Sequence, residues 1–177
     1  MRNLAIIKRI TFLWIITAFA LLIFSSCFGR VAPKRTYTDE EFSCEVKWRM
    51  DGNEICAVVE AGGKCAEGRE IKMTFLSPQS LSGISVSRSN GKMYIESGAV
   101  RAELHNDTIM RAATLLCDEG SLSYKGKALE GDREVVYAER RVGDRMDVLY
   151  LDLETGAPVR IDSGEISLVV VWFEYKP

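Results

Sequence analysis

From residue 41 onward the chain alternates between apolar and polar residues, with tight-turn signals between the alternating segments. In 41–50 Cys44, Val46 and Trp48 fall on one side of the alternation, and Glu45, Lys47 and Arg49 on the other. Asp51-Gly52 follows, then a second alternating run over 53–61. An Asp-Gly pair between alternating runs predicts a two-residue hairpin, because a type I′ turn needs positive φ at both central positions. A two-residue loop pairs Met50 with Asn53, Trp48 with Ile55, Val46 with Ala57 and Cys44 with Val59. All the large apolar groups then share one face, so turn register and polarity agree.

The same pattern recurs. Residues 69–76 place Ile71, Met73 and Phe75 on one face and Glu70, Lys72 and Thr74 on the other. Ser89-Asn90-Gly91-Lys92 predicts a second tight turn that sets Val86 opposite Ile95, and later turns centre on Gly143, Gly156 and Gly164. About ten strands at this spacing predict a mainly β, antiparallel architecture. One segment has a different period. In 106–120 Asp107 is placed as an N-cap, Ile109, Ala113, Leu116 and Cys117 form one helical stripe, and Gly120 stands at C′. The last strand, 165–175, is apolar on both faces, with Ile166, Leu168, Val170 and Trp172 opposing Val169, Val171 and Phe173. Such a strand needs a cover on each side. The predicted fold is a strongly curved antiparallel sheet, a half-barrel, with one short helix on its concave face.

The first residues read differently. Arg2, Lys8 and Arg9 precede an uncharged run from Ile10 to Phe24. Its 15 residues fall short of the roughly 20 that span a bilayer and match a secretory h-region. Phe24-Ser25-Ser26-Cys27 then resembles the lipobox of bacterial lipoproteins, with Phe24 where leucine is usual. That resemblance implies a signal peptide over 1–26, a lipidated and palmitate-bearing Cys27, and a protein held on the extracytoplasmic side of the cell membrane. Residues 27–40, with prolines, charges and no period, read as a tether, and 41–177 as the folded domain.

Charge narrows the partners. Residues 27–177 carry 20 basic and 25 acidic side chains, a net charge of −5. No basic surplus exists to neutralise phosphates, which argues against nucleic acid, and attachment to anionic headgroups falls to the anchor. The chemistry-bearing motifs are missing: no nucleophile elbow, zinc-protease helix, phosphate loop or dinucleotide fingerprint occurs. The only histidine, His105, has no nucleophile to serve and reads as a solvated loop residue. Glu139 and Asp152 read as parts of a solvated strand face and not as an acid–base pair. Gly62-Gly63 reads as part of a flexible hairpin loop. Four cysteines follow Cys27: Cys44, Cys56, Cys65 and Cys117. In an exported domain they suggest two disulfides, although Cys44 and Cys56 fall on opposite faces of the hairpin. Buried thiols acting as small hydrophobes fit equally well. No metal or other cofactor is expected, and the chain does not read as an enzyme.

The run IKMTFLSPQSLSGISV (71–86), continued by GKMYIE (91–96), and the tail VLYLDLETGAPVRI (148–161) before the apolar 166–173 resemble the LolA-like lipoproteins. Within that group the chain looks most like short clostridial lipoproteins of the germination type. The resemblance implies a half-barrel over a hydrophobic cavity that binds acyl chains or an apolar partner segment. Val46, Trp48, Ile55, Met73, Phe75 and Trp172 are the candidates for lining it. The alternative function is a non-catalytic scaffold for another exported protein, such as a cell-wall hydrolase in sporulation or germination, with Lys47 and Arg49 at the contact.

Overall fold

The structure, a computed structural model, describes residues 32–50, 52–65, 68–105, 108–164 and 166–177. The predicted signal peptide, Cys27 and the proposed Asp107 cap lie outside the described residues. Residues 31–177 form one compact unit with its own core.

That unit is one antiparallel sheet of eleven strands. In chain order they are β1 (Phe42–Met50), β2 (Asn53–Cys65), β3 (Gly68–Ser77), β4 (Ser85–Ser89), β5 (Lys92–Ser97) and β6 (Val100–Leu104). After the helix come β7 (Ser121–Glu130), β8 (Arg133–Val142), β9 (Arg145–Asp152), β10 (Pro158–Ser163) and β11 (Ile166–Tyr175). Across the sheet the order is β6-β5-β4-β3-β2-β1-β11-β10-β9-β8-β7. The first and last strands therefore meet in the middle, and the helix α1 (Arg111–Cys117) lies in the connection from one edge to the other. The sheet is not closed into a barrel.

Local turn chemistry sets the register. The β1–β2 ladder pairs Met50 with Asn53, Trp48 with Ile55, Val46 with Ala57 and Cys44 with Val59, as the Asp-Gly turn predicts. Val86 lies opposite Ile95, and Asn90 (φ 52°) and Gly91 (φ 70°) both take the left-handed conformation that the two-residue turn requires.

Curvature follows from the position of α1, which packs against both β3 and β10. Those strands are separated by β2, β1 and β11, so a flat sheet would hold them about 19 Å apart. A helix is only about 10–12 Å across. The sheet must bend around it, and its inner face becomes a trough. Apolar side chains from β1, β2, β3, β9, β10 and β11 fill that trough as a single core.

Three expectations change. The helix is shorter than 106–120. A 3-10 turn (Thr108–Met110) leads into seven residues of α-helix, and the chain leaves the helix at Asp118. Ala113, Leu116 and Cys117 are buried as the stripe predicts. Arg140 ends the helix early: its Nη2–H donates to the Leu115 carbonyl (2.6 Å) and its Nη1–H to that of Asp118 (3.1 Å). A cation on the last carbonyls satisfies the acceptors that a C′ glycine would otherwise serve. Gly120 instead lets the chain pass β8, since a Cβ there would lie 2.5 Å from the Arg141 carbonyl oxygen.

The last strand is not covered on both faces. A bulge sets Glu45 opposite Trp172 but Val46 opposite Val170, leaving Val171 as the extra residue. The alternation therefore changes phase: Leu168 and Val170 face the trough, and beyond the bulge so do Phe173 and Tyr175. Trp172 is turned to the outer face, and Val169 (45% exposed), Val171 (49%) and Trp172 (41%) form an apolar strip there.

Finally, the folded part begins before residue 41. Tyr37 sits in a 3-10 turn (Tyr37–Asp39) and is fully buried, edge-on to Phe42 and Phe173 with ring centroids 5.8 and 6.1 Å away. Arg35 lies over the Tyr175 ring at 4.0 Å and bonds Glu40. A segment without a period reads as linker, yet one aromatic side chain is enough to dock it.

Candidate ligand cavity

At the end of the trough where β1 turns into β2, the core is incomplete. Trp48 and Ile55 are direct cross-strand partners, and β3 brings Phe75 beside them, its ring centroid 6.3 Å from that of Trp48. Ile109 and Ala112 come from the start of the helical segment, Ile166 from the start of β11 and Leu81 from the β3–β4 loop. Between them lies an open cavity of about 370 Å³. The loop is shaped by backbone bonds that fold it back: Phe75 N–H donates to the Ile84 carbonyl (2.9 Å) and Gly83 N–H to that of Phe75 (3.1 Å).

Of the six sequence candidates, the structure brings Trp48, Ile55 and Phe75 together on this cavity. Val46 and Met73 are fully buried one layer deeper, where they support the wall. Trp172 is on the opposite face, its indole N–H donating to Glu45 Oε2 at 3.0 Å. Leu81, Ile109, Ala112 and Ile166 were not foreseen. The one usable signal was Leu81, which with Ile84 makes two large apolar residues in an otherwise polar loop.

The lining is apolar apart from Arg49 and Arg111 at the lip, both exposed. Among the described residues no carboxylate lines it.

Elsewhere the titratable groups have structural work. Glu139 pairs with Lys125 at 2.9 Å. Asp152 Oδ1 accepts from the Glu154 and Thr155 backbone N–H groups and from the Thr155 hydroxyl, closing the β9–β10 turn. Burial opposes ionisation of Asp152, but those bonds outweigh it and hold its pKa below the usual value. His105 is exposed at the end of β6.

Arg140 is fully buried, opposite Asp147 in the β8–β9 ladder and bonded to it at 2.9 and 3.2 Å, both side chains without solvent exposure. Arg145 bonds the other oxygen of Asp147 at 2.8 Å and also reaches Asp118. Burial works against the Asp147 carboxylate, yet hydrogen bonds led by that of Arg145, together with the Arg140 charge, keep its pKa below the usual value. This network ties the helix end to the sheet.

Cys44, Cys56 and Cys117 are free thiols. Cys44 and Cys117 lie in the trough. Cys56 is buried on the other face, its thiol donating to Glu45 at 3.2 Å. Burial pushes Cys117 up to about 12 against the pull of nearby arginines, and raises Cys44 strongly as well. Burial and then the Glu45 bond bring Cys56 up to about 11. Since the thiolate is the nucleophile, Cys44 and Cys117 should stay unmodified by iodoacetamide at pH 8 until urea unfolds the protein. Peptide mass spectrometry reads this directly, and rapid native labelling of Cys117 would contradict the packing.

No family model matches this chain, and no curated protein sequence is similar to it. Solved structures do share its shape. An uncharacterized conserved protein from Thermus thermophilus superposes with a TM-score of 0.52 at 17% identity, over 78% of this chain and 80% of that one. MucB superposes with a TM-score of 0.53 at 14% identity over 80% of this chain, which spans 56% of the MucB chain. A LolA superfamily protein from Nitrosomonas europaea gives a TM-score of 0.43 at 11% identity, over 80% and 89% of the two chains. At these identities the likeness to the first two is one of fold.

Proposed function

We propose that this chain is an extracytoplasmic lipoprotein, anchored through Cys27 after removal of residues 1–26, that binds a hydrophobic ligand and performs no chemistry on it. The observation that carries this reading is the open cavity bounded by Trp48, Ile55 and Phe75. Its wall is apolar and rests on a fully packed second layer containing Val46 and Met73. An acyl chain needs nothing more, because each buried CH₂ contributes about 0.8 kcal/mol.

A second reading has its own observation. The outer strip of Val169, Val171 and Trp172 beside Lys47 is a surface on which another exported protein could dock, as a scaffold in sporulation or germination would require.

Native mass spectrometry with organic extraction separates the two. Residues 28–177, exported without the anchor, should carry fatty acid or phospholipid at near one-to-one stoichiometry. An empty monomer would favour the scaffold and call for pull-downs with Trp172 and Lys47 variants.

A further inference from the structure

Resting on the hydrophobic-ligand reading, the charge at the cavity lip narrows the ligand. Arg111 is the first residue of α1, between Met110, which is buried, and Ala112, which lines the cavity. Its side chain is exposed, and among the described residues it has no ion-pair partner. Arg49 is the other charged residue in the lining. Strand alternation places it at the outer lip, where it borders both this cavity and an open depression lined by Lys47, Glu54 and Val169. Glu54 is its cross-strand neighbour in register, yet the two make no salt bridge.

Most other arginines of the domain are engaged. Arg35, Arg101, Arg140, Arg145 and Arg160 each have a carboxylate partner. Two guanidinium groups left over at one apolar mouth, with no described acid in the lining, make a site complementary to an anion that stays at the water boundary. The cavity is also small. Its volume of about 370 Å³ is at the low end of the roughly 300–1,000 Å³ typical of small-molecule sites, which suits one acyl chain better than the two of a phospholipid.

We infer that the cavity takes a single-chain fatty acid, its tail against Trp48, Ile55 and Phe75 and its carboxylate held at the lip by Arg111 with Arg49. A guanidinium–carboxylate contact is directional and charge-assisted, so it adds selectivity to burial that by itself distinguishes only chain length.

The test uses residues 28–177, which contain the whole compact unit, and displacement of N-phenyl-1-naphthylamine at pH 8 by dodecanoate, dodecanol or dodecyl phosphate. Dodecanoate should displace the probe at about one-fifth the concentration that dodecanol needs. The Arg49→Gln/Arg111→Gln double variant should remove that preference, so that dodecanoate and dodecanol displace the probe at equal concentrations in that variant. Raising salt should shrink the preference in the parent protein, because the lip is solvent-exposed. Equal displacement by dodecanoate and dodecanol, a preference that survives in the double variant, or clearly tighter binding of dodecyl phosphate would each overturn the inference while leaving the hydrophobic-ligand reading in place. Failure of the naphthylamine and all three competitors to bind would remove that reading and this inference together.

Discussion

Replacing Asp147 by alanine is expected to destabilise the domain by about 3–5 kcal/mol, because it leaves the Arg140 guanidinium buried without its counter-charge. Domains of this size have a total stability of about 5–15 kcal/mol, so the variant should unfold at a much lower urea concentration. The loss should propagate to the helix, whose last carbonyls are held by the same guanidinium. Replacing both partners, Arg140→Met with Asp147→Leu, should recover a large part of the loss, since two buried charges are then removed instead of one. Urea titrations of the parent, both single variants and the double give the coupling directly, and additive losses would refute it.

The network also fixes the sign of the acid response. Asp147 has a folded pKa below its unfolded value, which is near 3.9. Its contribution is therefore fully present above about pH 4 and is lost as pH falls through the folded value. The Asp147→Ala variant should lack that component of acid sensitivity.

The second large effect concerns binding. Glutamate at Trp48 or Phe75 is a poor probe, since both side chains are nearly fully buried and an unpaired carboxylate there would unfold the domain. Ala112→Phe is the sharper substitution, because it places a ring in the cavity from the helix side. Binding of N-phenyl-1-naphthylamine should fall by at least about tenfold, equivalent to the roughly 1.4 kcal/mol lost when apolar wall area is no longer available. Leu81→Glu, at a half-buried loop position on the same wall, should act in the same direction. Unaltered probe binding in both variants, with unchanged thermal midpoints, would mean that the cavity is not where the probe sits.

Much of the fold was legible because hairpin register is a local property. The turns at 51–52 and 90–91 specify their pairings from two residues each, and Trp48, Ile55 and Phe75 follow onto one face. The misplacement of Trp172 has a non-local cause. Its orientation depends on a bulge in the pairing of β1 with β11, strands more than a hundred residues apart, and a single extra residue reverses every side chain beyond it. Arg140 was hidden for a related reason. In a segment reading EVVYAERRV it resembles one more solvated charge, and only the arrival of the helix end and Asp147 makes its inward position tolerable. The cavity wall drew on Leu81, Ile109, Ala112 and Ile166, which come from a loop, a helical segment and the start of a strand. No single periodicity connects them.

The docking of Tyr37 gives the domain a handle and a mouth at opposite poles. Tyr37 and Arg35 pack where β1 begins and β11 ends, against Phe42 and Tyr175, whereas the cavity opens beyond Trp48, near the far end of β1. From Phe42 to Trp48 a strand advances about 20 Å. The described chain therefore enters the domain far from the cavity mouth, so a label or fusion attached ahead of residue 32 should leave the rim free for whatever fills it.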